Sequence, residues 1–298
     1  MGFDRYSTRL TLLATKKGVN FSRTLTLGRQ GLHLPDSELD KLLHEVGLSL
    51  GPAQRAEISR HLPHADGLLK ALGAQTLVTV DASPYEGASL IHDMNTPIEP
   101  ELAGKFTTVI DFGTLEHIFN FPVAVRNCMQ MLEVGGTFLC ATTANNYLGH
   151  GFYQFSPELF FRVLSPENGF VVDEMYLCED RHTRYWYQVP DPAVVRRRVE
   201  LRNSLPTLML IRAHKTAEVV PFAATPQQSD YAQALWQGAG PSPRTTAGLP
   251  VAAETIRGLG RRWLPDWLRN LRADLMRTLT SPFAADYYKR VNSRSLRD

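Results

Sequence analysis

The chain has 298 residues, 43% hydrophobic and 21% charged, enough for one large domain or a core domain with an appendage. With 32 Lys and Arg against 30 Asp and Glu, the formal net charge of +2 offers no electrostatic ground for a nucleic-acid partner. Three cysteines, Cys128, Cys140 and Cys178, form no C-x-x-C pair and no Cys–His ligand spacing, so a disulfide framework and the usual structural zinc motif are excluded and no metal site is expected.

Residues 1–20 read as an N-terminal helical segment, with an apolar run too short for a signal peptide or a spanning helix; a cytoplasmic location is the expectation. Residues 23–27 (RTLTL) then read as a strand ending at Gly28. A helix is expected over residues 36–46, capped by Asp36, with Leu39, Leu42, Leu43 and Val46 on one face. Two more follow at residues 54–62 and 66–72. Strands return at 76–80 (TLVTV, ending at Asp81), 88–91 (leading to Asp93), 107–112 (TTVIDF) and 137–142 (TFLCAT). Between the last two, residues 122–132 have helical spacing, stopped by Gly135-Gly136. Strands alternating with helices imply βαβ units and a parallel sheet covered on both faces. Two later apolar runs, 170–178 and 207–213, flank a helical-looking insert that begins at Asp191-Pro192, and are expected to pair antiparallel at the sheet edge.

Beyond this α/β domain, residues 21–216, proline and small polar residues mark 217–250 as a linker or loosely packed arm. Residues 251–298 hold ten Lys and Arg and five Asp and Glu, and read as a basic amphipathic helical tail. Its apolar face, with Trp267, Leu268, Leu271, Leu275 and Leu279, suits packing on the domain, a homodimer contact, or a peripheral membrane contact that would also use Trp263.

Ligands of open α/β sheets bind outside the carboxyl ends of the strands, so the residues just after each strand carry the chemistry. Asp81 is placed either to accept hydrogen bonds from the hydroxyls of a ribose or to cap the next helix. Asp93 suits an adenine amino group or, equally, a tight turn. His117 and His150 are the candidate general bases, against the reading of each as a structural histidine. Tyr147, Tyr153 and Gln154 are candidates for an acceptor pocket. Phe152, Phe155, Phe160 and Phe161 read as core, and Cys140 as buried filler.

The tract KFTTVIDFGTLEHIFN, residues 105–120, resembles the fourth-strand motif of class I S-adenosylmethionine-dependent methyltransferases, with the Glu116-His117 pair opening a helix. Residues 131–139 (MLEVGGTFL) resemble that family's turn into its fifth strand, and NNYLGHGFYQF, residues 145–155, resembles the substrate-side loop of its small-molecule branches. The likeness spans roughly residues 22–215 and is tight between 81 and 157. It implies a Rossmann-like three-layer sandwich with a mostly parallel seven-stranded sheet, a late antiparallel hairpin and a helical C-terminal extension. It also implies S-adenosylmethionine as cofactor: ribose at Asp81 and Ala82, adenine near Asp93 and Met94, and the methionine part near Gly28, Arg29, Gln30, Asp111, Gly113 and Glu116. The activity implied is methyl transfer, chiefly O-methylation, to a small molecule or to a sugar of glycan biosynthesis. One departure stands out. The family's first strand ends in an acid and a Gly-x-Gly-x-Gly turn, whereas this chain has Leu27-Gly28-Arg29-Gln30-Gly31. Arg29 could fork onto the cofactor's carboxylate instead; alternatively, the protein is a catalytically inactive binding or scaffold subunit. A nicotinamide-dependent oxidoreductase ranks last, since no Gly-x-Gly-x-x-Gly follows any strand.

Overall fold

In the computed structural model, residues 2–180, 185–231, 288–293 and 295–296 are described. Helix α1 (Arg5–Lys16) starts at Asp4, whose carboxylate accepts from the backbone N–H groups of Tyr6 and Ser7. Strand β1 (Arg23–Leu27) is followed by α2 (Asp36–Val46), α3 (Pro52–His61) and α4 (Asp66–Ala71) before β2 (Thr76–Asp81). Pro35, not Asp36, is the N-cap of α2, and Asp36 lies inside the first turn, where its charge favours the helix dipole. The long connection between β1 and β2 is thus three helices, with α3 and α4 packed so closely that a Cβ on Gly67 would sit 2.4 Å from the Glu57 carbonyl.

Strand β3 (Leu90–Ile91) is short, and β4 (Phe106–Phe112) is wholly buried. Helix α5 (Phe121–Met131) runs straight into β5 (Leu132–Asn145). Gly135-Gly136 therefore does not stop the helix; it lies inside the strand, where the β4–β5 register shifts and Gly135 takes a φ of 87°. A β-bulge needs that freedom as much as a helix terminus does. The remaining elements are α6 (Pro157–Val163), β6 (Phe170–Glu179), β7 (Tyr185–Gln188), α7 (Pro192–Val195), β8 (Thr207–Lys215) and β9 (Lys289–Asn292).

Among the described residues the strands make one sheet, β3-β2-β1-β4-β5-β8-β6-β7-β9. Strands β1 to β5 are parallel, β8 runs antiparallel to β5, and β6 antiparallel to β8. The late antiparallel pair exists, but not at the edge: β8 is inserted between β5 and β6, and the sheet continues through β7 and β9, which the sequence reading missed. Both are four residues long, and the segment before β7 carries no strong turn signal. In the stretch read as a helical tail, the residues described at 289–292 are strand; Trp263, Trp267 and the rest of the proposed amphipathic face lie outside the described residues.

Alternation along the strands sends side chains to two cores. Ile110, Phe112, Leu139 and Ala141 join Leu10, Leu42 and Leu68 on the face covered by α1, α2 and α4. Val109, Phe138 and Cys140 join Phe121, Val125 and Phe160 on the face covered by α5 and α6. This is a Rossmann-like three-layer α/β sandwich, and its strand order reverses between β1 and β4.

Candidate functional site at the carboxyl edge of the sheet

Register places Leu27 of β1 against Val80 of β2, and Thr26 against Ile110 of β4, so the residues after these strands share one rim. Gly28 leaves β1 with a φ of 68°, and its N–H donates to the Val80 carbonyl at 2.7 Å. Arg29, offered by the sequence as a partner for a ligand carboxylate, is engaged within the chain. Its Nη2 and Nε donate to Asp66 Oδ2 at 2.9 and 3.2 Å, and its Nη1 to the Glu86 carbonyl at 3.0 Å. The guanidinium ties α4 to the loop after β2. Gln30 is buried and donates its side-chain amide back to the Leu27 carbonyl. That same carbonyl accepts from Thr114 Oγ1 at 3.0 Å, which locks the first turn to the loop after β4.

Asp81 is half-buried at the end of β2. One carboxylate oxygen accepts from the Ser83 N–H at 3.0 Å, and Ala82 beside it is exposed. Asp93 is exposed, and its carboxylate accepts from the Asn95 backbone and side chain at 2.9 and 2.8 Å. The backbone hydrogen bond is the main reason its pKa lies below the ordinary value. Met94 points into the core, where buried Asn127 donates to the Thr96 carbonyl at 2.8 Å and pins the loop.

Asp111, at the end of β4, is fully buried. It accepts from the Thr114 and Leu115 N–H groups at 2.9 and 3.3 Å, and the Cys140 thiol donates to its other oxygen at 3.6 Å. Burial, then the nearby Glu116 carboxylate, pushes its pKa up to about 7. Asp111 therefore shapes the turn Leu115–His117 from beneath and does not reach the rim. Cys140, read as filler, is buried but also serves this carboxylate.

The turn presents Glu116 and His117. Glu116 has no exposed surface, and its Oε2 accepts from Thr142 Oγ1, on β5, at 2.9 Å. Its Oε1 takes no hydrogen bond and lies 3.7 Å from His150 Nε2, itself a buried atom without a hydrogen-bond partner. Its carbonyl accepts from the Phe152 and Tyr153 N–H groups at 2.8 and 3.2 Å, so one residue holds the loop after β5 in place. In that loop the His150 ring meets the exposed His117 ring edge-to-face, centroids 4.8 Å apart. Burial holds the His117 pKa below its ordinary value, opposed by the Glu116 charge.

The acceptor candidates are mostly bracing. Tyr153 donates to the Phe119 carbonyl at 2.6 Å and stacks on Phe155. The exposed Gln154 accepts from the Tyr147 N–H at 2.7 Å. Tyr147 packs beside His150, and burial pushes its phenol up to about 12. Phe155 and Phe160 are core as expected, but Phe152 is 67% exposed. Its ring meets that of Phe119, 72% exposed, with centroids 5.8 Å apart, and Leu148 in the same loop is 92% exposed. The loops that carry the two histidines thus present an apolar rim. Neither this rim, nor the pairing of Thr142 with Glu116, nor the role of Asp66 was expected from the sequence. Thr142 was legible as a polar residue at a strand end; Asp66 was not, because its partner is 37 residues away. A separate cavity of about 440 Å³, bounded by Glu158, Arg162 and Arg198, involves none of these strand-end residues.

A parallel sheet ordered β3-β2-β1-β4-β5, followed by an antiparallel strand inserted before β6, is the class I methyltransferase fold. No protein family matches the sequence. No curated protein matches it either. Among solved structures, the chain is similar to the branched-chain polyamine synthase of Thermus thermophilus, in complex with N4-aminopropylspermidine and 5'-methylthioadenosine. Identity is 18%, the match covers 71% of this chain and 56% of that one, and the TM-score is 0.36. It is also similar to the 1,6-didemethyltoxoflavin-N1-methyltransferase of Burkholderia thailandensis, with 13% identity, 72% and 80% coverage and a TM-score of 0.39. A geranyl diphosphate methyltransferase in complex with S-adenosylmethionine matches at 13% identity, 70% and 85% coverage and a TM-score of 0.36.

Proposed function

We propose that the chain binds S-adenosylmethionine along the carboxyl edge of β2, β1 and β4 and transfers its methyl group to a hydroxyl of a small-molecule or glycan acceptor. The observation that carries this reading is Asp81: a half-buried carboxylate at the end of β2, beside the point where strand order reverses, with one oxygen committed to Ser83 and the other without a hydrogen bond among the described residues. Vicinal ribose hydroxyls are donors, and a carboxylate is the side chain that accepts from both. Asp93, one strand further out, suits the adenine amino group. Gly28 and Gly113, at φ of 68° and 100°, keep side-chain bulk out of the path between ribose and acceptor.

When bound, the cofactor supplies a methyl group already activated on a sulfonium. The chain's own residues then have two tasks, alignment of the acceptor and removal of its proton. His117, exposed and with a lowered pKa, is neutral at pH 7 and able to take that proton. His150 Nε2 faces the Glu116 carboxylate across 3.7 Å, which places a second imidazole beside the first. The rim of Phe119, Leu148 and Phe152 suits an acceptor with an apolar portion, such as a lipid-linked sugar. A cytoplasmic setting, with the 251–298 tail contacting the domain, a second copy or a membrane surface, is part of the same proposal; among the described residues no helix is long and apolar enough to cross a membrane.

A second reading, an inactive member of the fold acting as a binding or scaffold subunit, is favoured by one observation. The first turn spends its N–H on Val80 and its guanidinium on Asp66 and Glu86, leaving neither for a ligand. Titration calorimetry separates the two. The enzyme reading expects heat with both S-adenosylmethionine and S-adenosylhomocysteine, weakened at least tenfold in Asp81→Ala, a loss of about 1.4 kcal/mol. No heat at millimolar concentration of either compound would leave the inactive reading standing.

A further inference from the structure

The sequence led to no expectation of a metal site, yet the fold gathers Glu116, His117 and His150 so that one potential ligand atom from each lies within 4.8 Å of the other two. We propose that these three side chains bind a divalent first-row transition ion. Three independent features of the site ask for a cation.

The first is unsatisfied valence. Glu116 Oε1 and His150 Nε2 are both buried, both without a hydrogen-bond partner, and face each other across 3.7 Å. That gap is too long for a hydrogen bond. Two ligand atoms each about 2.1 Å from a shared ion, at a tetrahedral angle, lie about 3.4 Å apart, so an ion fits with a shift of a few tenths of an ångström. His117 brings its ligand atom within 4.8 Å of the other two on an exposed side chain.

Charge is the second. Glu116, on the turn after β4, and Asp111, at the end of that strand, are carboxyl groups with no exposed surface, and no lysine or arginine pairs with either among the described residues. Burying an ionised carboxylate without a cation is costly, and a divalent ion held by the carboxylate and two neutral imidazoles removes the cost. Ligand type then chooses the metal: one carboxylate oxygen with two imidazole nitrogens suits the borderline ions from manganese to zinc better than magnesium or calcium, which prefer oxygen alone.

The third is outer support. Thr142 Oγ1 donates to Glu116 Oε2 at 2.9 Å, leaving Oε1 as the oxygen turned toward His150, and the loop carrying His150 is tied to the Glu116 carbonyl by two backbone hydrogen bonds. Fixing the ligands from behind is what metal sites require of their surroundings. Three protein ligands leave at least one coordination position for water or a hydroxyl, whose proton the ion would make more acidic; with the ion bound, His117 would be a ligand and the ion would replace its imidazole in promoting loss of the acceptor proton. That last consequence rests on the acceptor reading above; ion binding does not, and it is read without cofactor or acceptor.

The test uses full-length, tag-free protein stripped of metal and titrated with cobalt(II) chloride, followed by calorimetry and by visible absorption. One equivalent is expected to bind, with ligand-field bands of mixed nitrogen and oxygen coordination. His117→Ala and His150→Asn, both changes at the surface-facing side of the cluster, should each weaken binding at least tenfold, whereas His214→Ala on β8 should not. Glu116→Gln, checked for folding by circular dichroism, should abolish the bands. An absence of cobalt binding overturns the proposal, and so does binding that His117→Ala and His150→Asn leave unchanged.

Discussion

Asp111 is the residue whose chemistry depends most on its surroundings. It is fully buried, and its pKa is pushed up to about 7 from the ordinary 3.8. A folded-state pKa above the unfolded value means that the native state binds the extra proton between about pH 4 and pH 7. Stability from this group is therefore present below pH 4 and is lost as pH rises through about 7. Asparagine keeps an acceptor for the Thr114 and Leu115 N–H groups and carries no charge. Asp111→Asn should thus become more stable relative to wild type as pH rises from 5 to 8, by a difference on the order of 2–4 kcal/mol. Denaturant melts at three pH values check it; a difference that does not grow with pH would mean that Asp111 is not forced to ionise in the folded protein. At this scale the sequence was legible wherever a residue acts alone. Asp81 and the Glu116-His117 pair were picked out from position. Arg29 was misjudged because its nearest carboxylate, Asp66, arrives from a helix that no local pattern connects to it.

The loop between β5 and α6 is the element on which the site depends. It turns at Gly151, where φ is 71° and a Cβ would lie 2.7 Å from the Glu116 carbonyl oxygen. That oxygen is the acceptor for Phe152 and Tyr153, so a side chain at 151 would push the loop off its anchor. Gly151→Ala should cost about 1–3 kcal/mol and should speed hydrogen exchange of the Phe152 and Tyr153 amides selectively. Uniform protection across the variant would count against Glu116 as the anchor. Helix α6 after this loop was not expected from the sequence, whereas strand β5 before it was readable from its apolar run at 137–142. The loop's shape was not, because it is set by a carbonyl 35 residues earlier in the chain. The same limit hid the bulge at Gly135-Gly136, where one glycine pair serves equally well as a helix stop or a strand irregularity.

For the whole molecule, the far edge of the sheet is the informative end. Strand β9 closes β7, with Arg290 stacked over the Tyr185 ring at 4.7 Å and Tyr288 buried beside it. Ser293 accepts from Arg9 Nη1 at 2.6 Å, and Arg9, only 2% exposed, also pairs with Glu45 of α2. The last strand is thereby wired to the first helix. Removing residues 288–298 should bare the β7 edge and weaken the Arg9 site together, lowering stability by at least about 2 kcal/mol and promoting association through the open strand. Urea unfolding and light scattering of the truncated chain check this; unchanged stability would make β9 an ornament of the edge.

What the order of residues dictated was the alternation of strand and helix, the parallel core from β1 to β5 and the acids at the strand ends. Each follows from the spacing of apolar side chains and from turn chemistry within a few residues. What needed the folded chain was the placement of β8 inside the sheet, the β7–β9 extension and the meeting of Glu116 with His150. Backbone pairing and burial bring those groups together across tens of residues, and neither interaction leaves a local trace in the sequence.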